Sequence, residues 1–135
     1  MQDKSSNNTI LRTGKRKCAI AKVWVTVEGE GRFLVNGKTL DGYFGNHTWQ
    51  KVAAVTPLTV AKIDKADITA QVMGGGFSGQ ADAIKLGIAR ALATVDVKYK
   101  KLMRDNGLLT RDARIVERKK PGRPKARKRF QFSKR

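Results

Sequence analysis

One cysteine, one histidine and three prolines are all that the 135-residue chain has of those types, and only 11 acidic side chains face 29 Lys and Arg. A single thiol, Cys18, excludes an intramolecular disulfide and a cysteine-clustered zinc site, and it suits a reducing compartment. His47 is equally isolated, with no carboxylates gathered around it at ligand spacing. The plain readings of the two are a packed thiol and an exposed or satisfied imidazole. No apolar run approaches the roughly 20 residues that a spanning helix requires, and no amphipathic cationic helix stands out. Residues 1–10 carry Asp3 among polar Ser and Asn and lack the apolar core of a signal peptide. They read as a disordered lead-in to a protein that works inside a cell or an organelle.

What the chain has in excess is positive charge. A formal net charge of +18 repels itself unless a polyanion supplies the countercharge, and the candidates are nucleic acid, an anionic membrane or an acidic protein. The charge is uneven. Residues 118–135 hold ten Lys or Arg and no acid, whereas residues 1–117 hold nineteen against eleven acids. The last segment also contains Pro121 and Pro124 with Gly122 between them, and it has no apolar period, so it forms neither a helix nor a core of its own. Fully extended, eighteen residues reach roughly 60 Å, while a folded body of this size has a radius of gyration of about 13–14 Å. Phe130 and Phe132, near the end of this cationic run, are suited to stacking on bases or filling a groove of RNA.

The remainder is enough for one folded unit with a modest core, since 40% of the residues are hydrophobic. Its pattern is α+β. Ala19 to Val27 alternates, with Ala19, Ala21, Val23, Val25 and Val27 on one face, and stops at Glu28-Gly29-Glu30-Gly31. Arg32 to Val35 is a second short strand, closed by the turn pair Asn36-Gly37, and the two are expected to form a hairpin. Gly42, Gly45 and Asn46 break the chain. A short helix over Thr48 to Val55 should end before Pro57, and Ala66 to Met73 reads as a third strand. The clearest helix runs from about Ser78, its expected N-cap, to Val95, with Ala81, Ile84, Ile88, Ala91 or Leu92, and Val95 at three- and four-residue steps. A last helix from Asp96 to about Asp105 ends at Asn106-Gly107, and Leu108 and Leu109 are the last core contacts.

Two short motifs carry chemistry. Gly74-Gly75-Gly76-Phe77-Ser78-Gly79-Gln80 joins a strand to a helix, where backbone N–H groups and the helix dipole can hold a phosphate. Gly74 and Gly79 have Walker spacing, but Gln80 and Ala81 stand where Lys and Ser or Thr are needed, so phosphoryl-transfer chemistry lacks its clamp. Two compatible roles remain for the loop: a tight turn that joins strand and helix, and a helix N-terminus set against an RNA phosphate. Thr13-Gly14-Lys15-Arg16-Lys17, expected to lead into the first long strand, is either a solvated edge or a set of phosphate contacts on the same surface as the tail.

The residues also resemble the family of the ninth protein of the ribosomal small subunit, in its bacterial or organellar form. The resemblance covers nearly the whole chain through Thr13-Gly14-Lys15-Arg16-Lys17, the Phe33 to Lys38 turn, Tyr43-Phe44, the glycine loop with Ser78-Gly79-Gln80-Ala81, Gly87-Ile88-Ala89-Arg90-Ala91-Leu92, Thr110-Arg111-Asp112-Ala113-Arg114 and Gln131-Phe132-Ser133-Lys134-Arg135. The segment Pro121-Gly122-Arg123-Pro124 departs from the family pattern by an added proline.

The resemblance implies a two-layer α/β sandwich like the second domain of small-subunit protein five, with residues 1–10 as lead-in, 11–109 as the RNA-binding body and 110–135 as an extended basic tail. It implies a structural, non-enzymatic role in translation. Small-subunit ribosomal RNA in the head would be bound by Lys15, Arg16, Lys17, Arg111, Arg114, Arg118, Lys119, Lys120, Arg123, Lys125, Arg127, Lys128 and Arg129. The tip, Ser133, Lys134 and Arg135, would approach peptidyl-site tRNA. Neighbouring head proteins are further partners, in the bacterial cytoplasm, the mitochondrial matrix or the plastid stroma. No catalytic residue, metal, cofactor, membrane or small-molecule substrate is expected. The rival readings are an enzyme that uses the glycine loop for a nucleotide and a nonspecific cationic nucleic-acid binder or chaperone.

Overall fold

The computed structural model describes residues 9–132. Its elements in chain order are β1 (Thr9–Arg16), β2 (Ala19–Thr26), β3 (Phe33–Val35), β4 (Lys38–Thr39), α1 (Leu40–Phe44), α2 (Thr48–Ala61), β5 (Asp67–Met73), α3 (Phe77–Val95) and α4 (Val97–Asp105). The five strands make one sheet in the order β1-β2-β5-β3-β4. Only the β3–β5 pair is parallel.

Alternation along β2 places Ala19, Ala21, Val23 and Val25 fully inside, with Ile68, Ala70 and Val72 of β5 beside them. The helices cover this face. Ile84, Ile88 and Leu92 of α3 are completely buried against it, and each such side chain contributes about 1.5–3 kcal/mol by leaving water. Met103 of α4 and Phe44 of α1 complete the core. β1 runs the full length of β2, from Thr9↔Thr26 to Arg16↔Ala19, so Thr9 and Ile10 are strand residues. Thr13 to Arg16 is thus part of an edge strand and not a lead-in to one.

The expected hairpin between β2 and β3 does not form, because β5 lies between them. β2 finds seven register partners along β5, from Ile20↔Met73 to Thr26↔Asp67, whereas β3 has only three residues to offer. The intervening loop is tied down by the Asp67 carboxylate, which accepts the backbone N–H groups of Glu30 (2.8 Å) and Arg32 (3.0 Å). The Asn36-Gly37 turn does close a hairpin, between β3 and β4. Both residues have positive φ, +51° and +80°, as a two-residue turn of the favoured hand requires. The Asn36 amide then acts as one more strand residue, giving its Nδ2–H to the Val72 carbonyl (3.1 Å) and accepting the Val72 N–H (2.9 Å).

Three helix expectations change. α1 is masked in the sequence by Gly42, yet the Thr39 hydroxyl caps it by accepting the Gly42 N–H at 3.1 Å, and its contribution to the core is the buried Phe44. α2 passes through Pro57 and ends at Ala61 instead of stopping before the proline. A proline inside a helix costs about 3 kcal/mol, but Ala54 and Pro57 form the buried stripe of α2, and burial against α3 offsets the lost N–H. Ser78 does not cap α3. Gly76 does, in extended conformation, and Ser78 lies inside the first turn with its Oγ accepting the Gln50 side-chain N–H (3.0 Å).

The tightest packing is between β1 and α3. A Cβ on Gly14 would lie 1.9 Å from the Ala83 carbonyl oxygen and 2.7 Å from the Gly87 nitrogen, and one on Gly87 would lie 2.7 Å from Val23 Cγ2. Neither backbone atom can move aside without disturbing the helix. Gly14→Ala is therefore expected to lower stability by about 1–3 kcal/mol or more, read as a drop in Tm of the purified protein. A Tm unchanged within error would show that the strand and the helix separate without cost.

Candidate nucleic-acid interface

The β1–β2 hairpin turns at Lys17-Cys18, with Lys17 in the left-handed region at φ +54°. Alternation along the strand points Gly14 and Arg16 toward α3 and leaves Lys15 exposed, as is Lys17 at the turn. The glycine loop nests under this turn. Gly74 (φ +73°) leaves no room for a Cβ, which would come within 2.6 Å of the Cys18 carbonyl oxygen, and Gly75 (φ +64°) lies against Ala19. Positive φ with close backbone contact admits only glycine without strain.

The loop delivers the N-terminus of α3, which has no side-chain cap and no acid in its first turn. Such a terminus carries partial positive charge on its free N–H groups. It opens on a cleft of about 620 Å³, bordered by Lys17, Cys18, His47, Gln50 and the loop, together with Ile115 and Val116 of the tail. Tyr43, Phe44, His47 and Phe77 form an aromatic cluster next to it, with centroids 5.1–5.9 Å apart. Gln80 is buried and bonded internally. Its Oε1 accepts the Tyr43 hydroxyl at 2.6 Å and its Nε2 donates to the Gly74 carbonyl at 3.1 Å. The residue in the Walker-lysine position is thus a strut that holds the loop closed.

Arg16 is the centre of the tail's attachment. Its guanidinium donates to the carbonyls of Arg114 (2.8 Å) and Asp112 (3.3 Å), pairs with the Asp112 carboxylate (3.2 Å) and reaches Asp82 on α3 (3.6 Å). With its side chain only 13% exposed, Arg16 is committed to the protein and not available as a phosphate ligand in the way expected for it. Arg114 adds its own grip on Asp112 through Nε and Nη2, at 3.0 and 2.7 Å. A smaller cleft of about 200 Å³ on the other flank of Arg16 is lined by Lys15, Lys85, Thr110 and Asp112. Lys15 and Lys17 therefore flank the place where the tail leaves the body.

Along the tail, Arg111, Arg114, Arg118, Lys119, Lys120, Lys125, Arg127, Lys128 and Arg129 are exposed and Arg123 is half-buried. Phe130 and Phe132 are 69% and 93% exposed. Ser133, Lys134 and Arg135 lie outside the described residues. Among the described residues no three His, Cys, Asp or Glu side chains are grouped to hold a metal ion, and no helix is long and apolar enough to cross a membrane. Sequence reasoning passed over Asp82, Asp112 and Glu117, the acids that organise the tail. Their one visible signal is that Asp112 and Glu117 stand isolated inside a cationic run.

Hydrogen bonds from the Arg114 side chain and backbone, helped by the Arg16 charge, hold the Asp112 carboxyl far below the usual carboxylate range. A carboxylate depressed on folding contributes its stabilisation above its unfolded value, near 3.8, and loses it only as pH falls through the lower folded value. The grip of Arg114 on Asp112, with Arg16 beside it, should therefore outlast the protonation of ordinary carboxylates. In a carboxyl-carbon NMR titration Asp112 is expected to stay ionised at pH 3. A midpoint near 4 would mean that the Arg114 grip on Asp112 is open in solution.

A family model described as ribosomal protein S9/S16 matches residues 14–135. The chain is 51% identical over 128 residues to the small ribosomal subunit protein uS9 of Sulfurovum sp. (strain NBC37-1), covering 94% of this chain and 98% of the relative. It is 52% identical over 128 residues to that of Campylobacter jejuni (strain RM1221), with the same coverage. It is 49% identical over 127 residues to that of Wolinella succinogenes, covering 93% and 98%. With a cationic surface gathered around the root of a basic tail and similarity along the whole body and tail, the chain belongs to the ribosomal protein S9 family, the non-enzymatic structural constituents of the small ribosomal subunit.

Proposed function

We propose that the chain docks on small-subunit ribosomal RNA in the head with the end of the body where hairpin turn, glycine loop and tail root meet. In this reading its last residues reach peptidyl-site tRNA, and head proteins pack on the rest of the body. The observation that carries the reading is the Arg16 latch, which sets Lys15, Lys17 and the α3 N-terminus, free of any side-chain cap, around the origin of the tail. A single RNA surface can then meet body and tail together. The two-layer arrangement, with one sheet face under helices, is of the kind expected for the second domain of small-subunit protein five. The bacterial source of the relatives favours a bacterial ribosome over an organellar one.

Lys15, Lys17, Arg111, Arg114, Arg118, Lys119, Lys120, Arg123, Lys125, Arg127, Lys128 and Arg129 are the ribosomal RNA contacts of this reading. Gly74, Gly75, Gly76, Ser78 and Gly79 hold shape and present N–H groups to a phosphate, while Gln80 supports the loop. Neutralising phosphates releases counterions, so affinity for small-subunit ribosomal RNA should fall steeply with salt. For single-stranded or irregular RNA the log–log slope is about −0.7 per phosphate neutralised. A nearly flat salt dependence would overturn the reading.

Deleting Ser133, Lys134 and Arg135 leaves eight of the ten cations of residues 118–135 and the entire core, so incorporation into subunits should persist. Retention of tRNA at the peptidyl site should weaken. Each charge-assisted hydrogen bond removed should cost at most about 1.5–3 kcal/mol, and less where the bond is solvated. Dissociation of tRNA from subunits holding equal amounts of intact or shortened protein measures this. Equal rates across magnesium and salt would remove the tip from the tRNA site.

A further inference from the structure

We infer that residues 117–127 form a pre-folded RNA-binding loop locked by Glu117, and not a thread that takes shape only on its target. The Glu117 carboxylate accepts two hydrogen bonds from the Arg127 guanidinium, from Nε at 2.9 Å and from Nη2 at 2.6 Å, across ten residues of sequence. Lys120 Nζ lies 3.8 Å from the same carboxylate. Inside this neck the chain reverses at Lys120-Pro121-Gly122-Arg123. The Arg123 N–H donates to the Lys120 carbonyl at 3.2 Å and Gly122 has φ +76°. Proline and then a positive-φ glycine at the two central positions are what a type II turn demands. Arg123 Nη1 reaches the Arg127 carbonyl at 3.3 Å, and Arg123, Pro124 and Ala126 are half-buried within an otherwise exposed segment. The loop packs on itself.

Its chemistry points to one class of ligand. Arg118, Lys119, Lys120, Arg123, Lys125 and Arg127 crowd into eleven residues with a single acid. Alone, such a run repels itself and extends. Glu117 at the neck opposes that repulsion, and its carboxyl is held below the usual range chiefly by the Arg127 hydrogen bonds. The result is dense positive charge on a short closed backbone, which fits a pocket where RNA phosphates converge better than it fits one straight strand. This inference rests on the RNA-binding role proposed above.

The test uses a reversal of sign. Glu117→Ala removes a negative charge from a cationic tail, so electrostatic attraction alone makes it bind RNA more tightly. A locked loop makes it bind more weakly, because the variant must close the loop as it binds. The pair is exposed, so the expected loss in the full-length chain is about two- to fivefold, measured against a transcript of small-subunit ribosomal RNA. The variant Glu117→Asp, which keeps a carboxylate at the neck and the original net charge, should recover most of the affinity. In the free intact chain the Arg127 Nε–H should give a distinct NMR signal that Glu117→Ala returns to the position of free arginine. Tm should not change, because the loop lies outside the core. Equal or tighter binding by Glu117→Ala, or binding by Glu117→Asp no stronger than that of Glu117→Ala, overturns the loop while leaving RNA binding intact. An intact chain that shows no salt-dependent binding to the transcript sinks both readings.

Discussion

Everything on the cationic side of the molecule depends on how closely β1 lies on α3. At Gly14 the strand backbone meets the helix backbone at the Ala83 carbonyl and the Gly87 nitrogen, with no side chain from either glycine between them. Two residues further along the same strand face comes Arg16, which the approach brings within reach of Asp82 on the helix. The guanidinium still has donors to spare, and they hold the backbone carbonyls of Asp112 and Arg114 where the chain leaves the body. A packing contact between two glycines thus decides where the tail starts.

The few acids are placed by the same logic. Asp82, Asp112 and Glu117 each meet a cation of the hairpin or the tail, and Asp67 closes the loop before β3 through backbone N–H groups. The latch and the loop neck occupy two of the strongest hydrogen-bonding cations, Arg16 and Arg127. Much of the remaining charge on Lys15, Lys17 and the tail stays exposed. Such a surface favours a polyanion by mass action and resists its own compaction, so shape-holding acids within the tail make physical sense where a definite path is required.

The glycine loop shows how one motif serves as structure and surface together. Gly74 and Gly75 take positive φ under the hairpin turn and Gly76 caps α3 in extended conformation. Buried Gln80 ties the loop to Tyr43. A nucleotide enzyme would need a cation and a metal-binding hydroxyl where this chain uses Gln80 and Ala81 for packing, which agrees with membership in a non-enzymatic ribosomal family.

Local rules recovered the elements whose own residues decide them. Strong alternation marked β2, the run from Ala66 to Met73 was legible as the strand β5, period and length marked α3, and Asn36-Gly37 and Asn106-Gly107 marked a turn and a helix end. The excess of cations, and their concentration after residue 117, identified a polyanion partner without any knowledge of the fold. What the sequence left undecided was whatever depends on a distant partner. β5 displaced β3 from the side of β2 because it offers the longer ladder, and burial against α3 carried α2 through Pro57. Arg16 looked like one of three equivalent cations, and only the register of β1 on β2 and its contact with α3 turned it inward while its neighbours Lys15 and Lys17 stayed in solvent. Charge is a property of composition and survives any fold, but the direction in which a charge points is set by strand register and packing, and these are fixed only when the chain closes on itself.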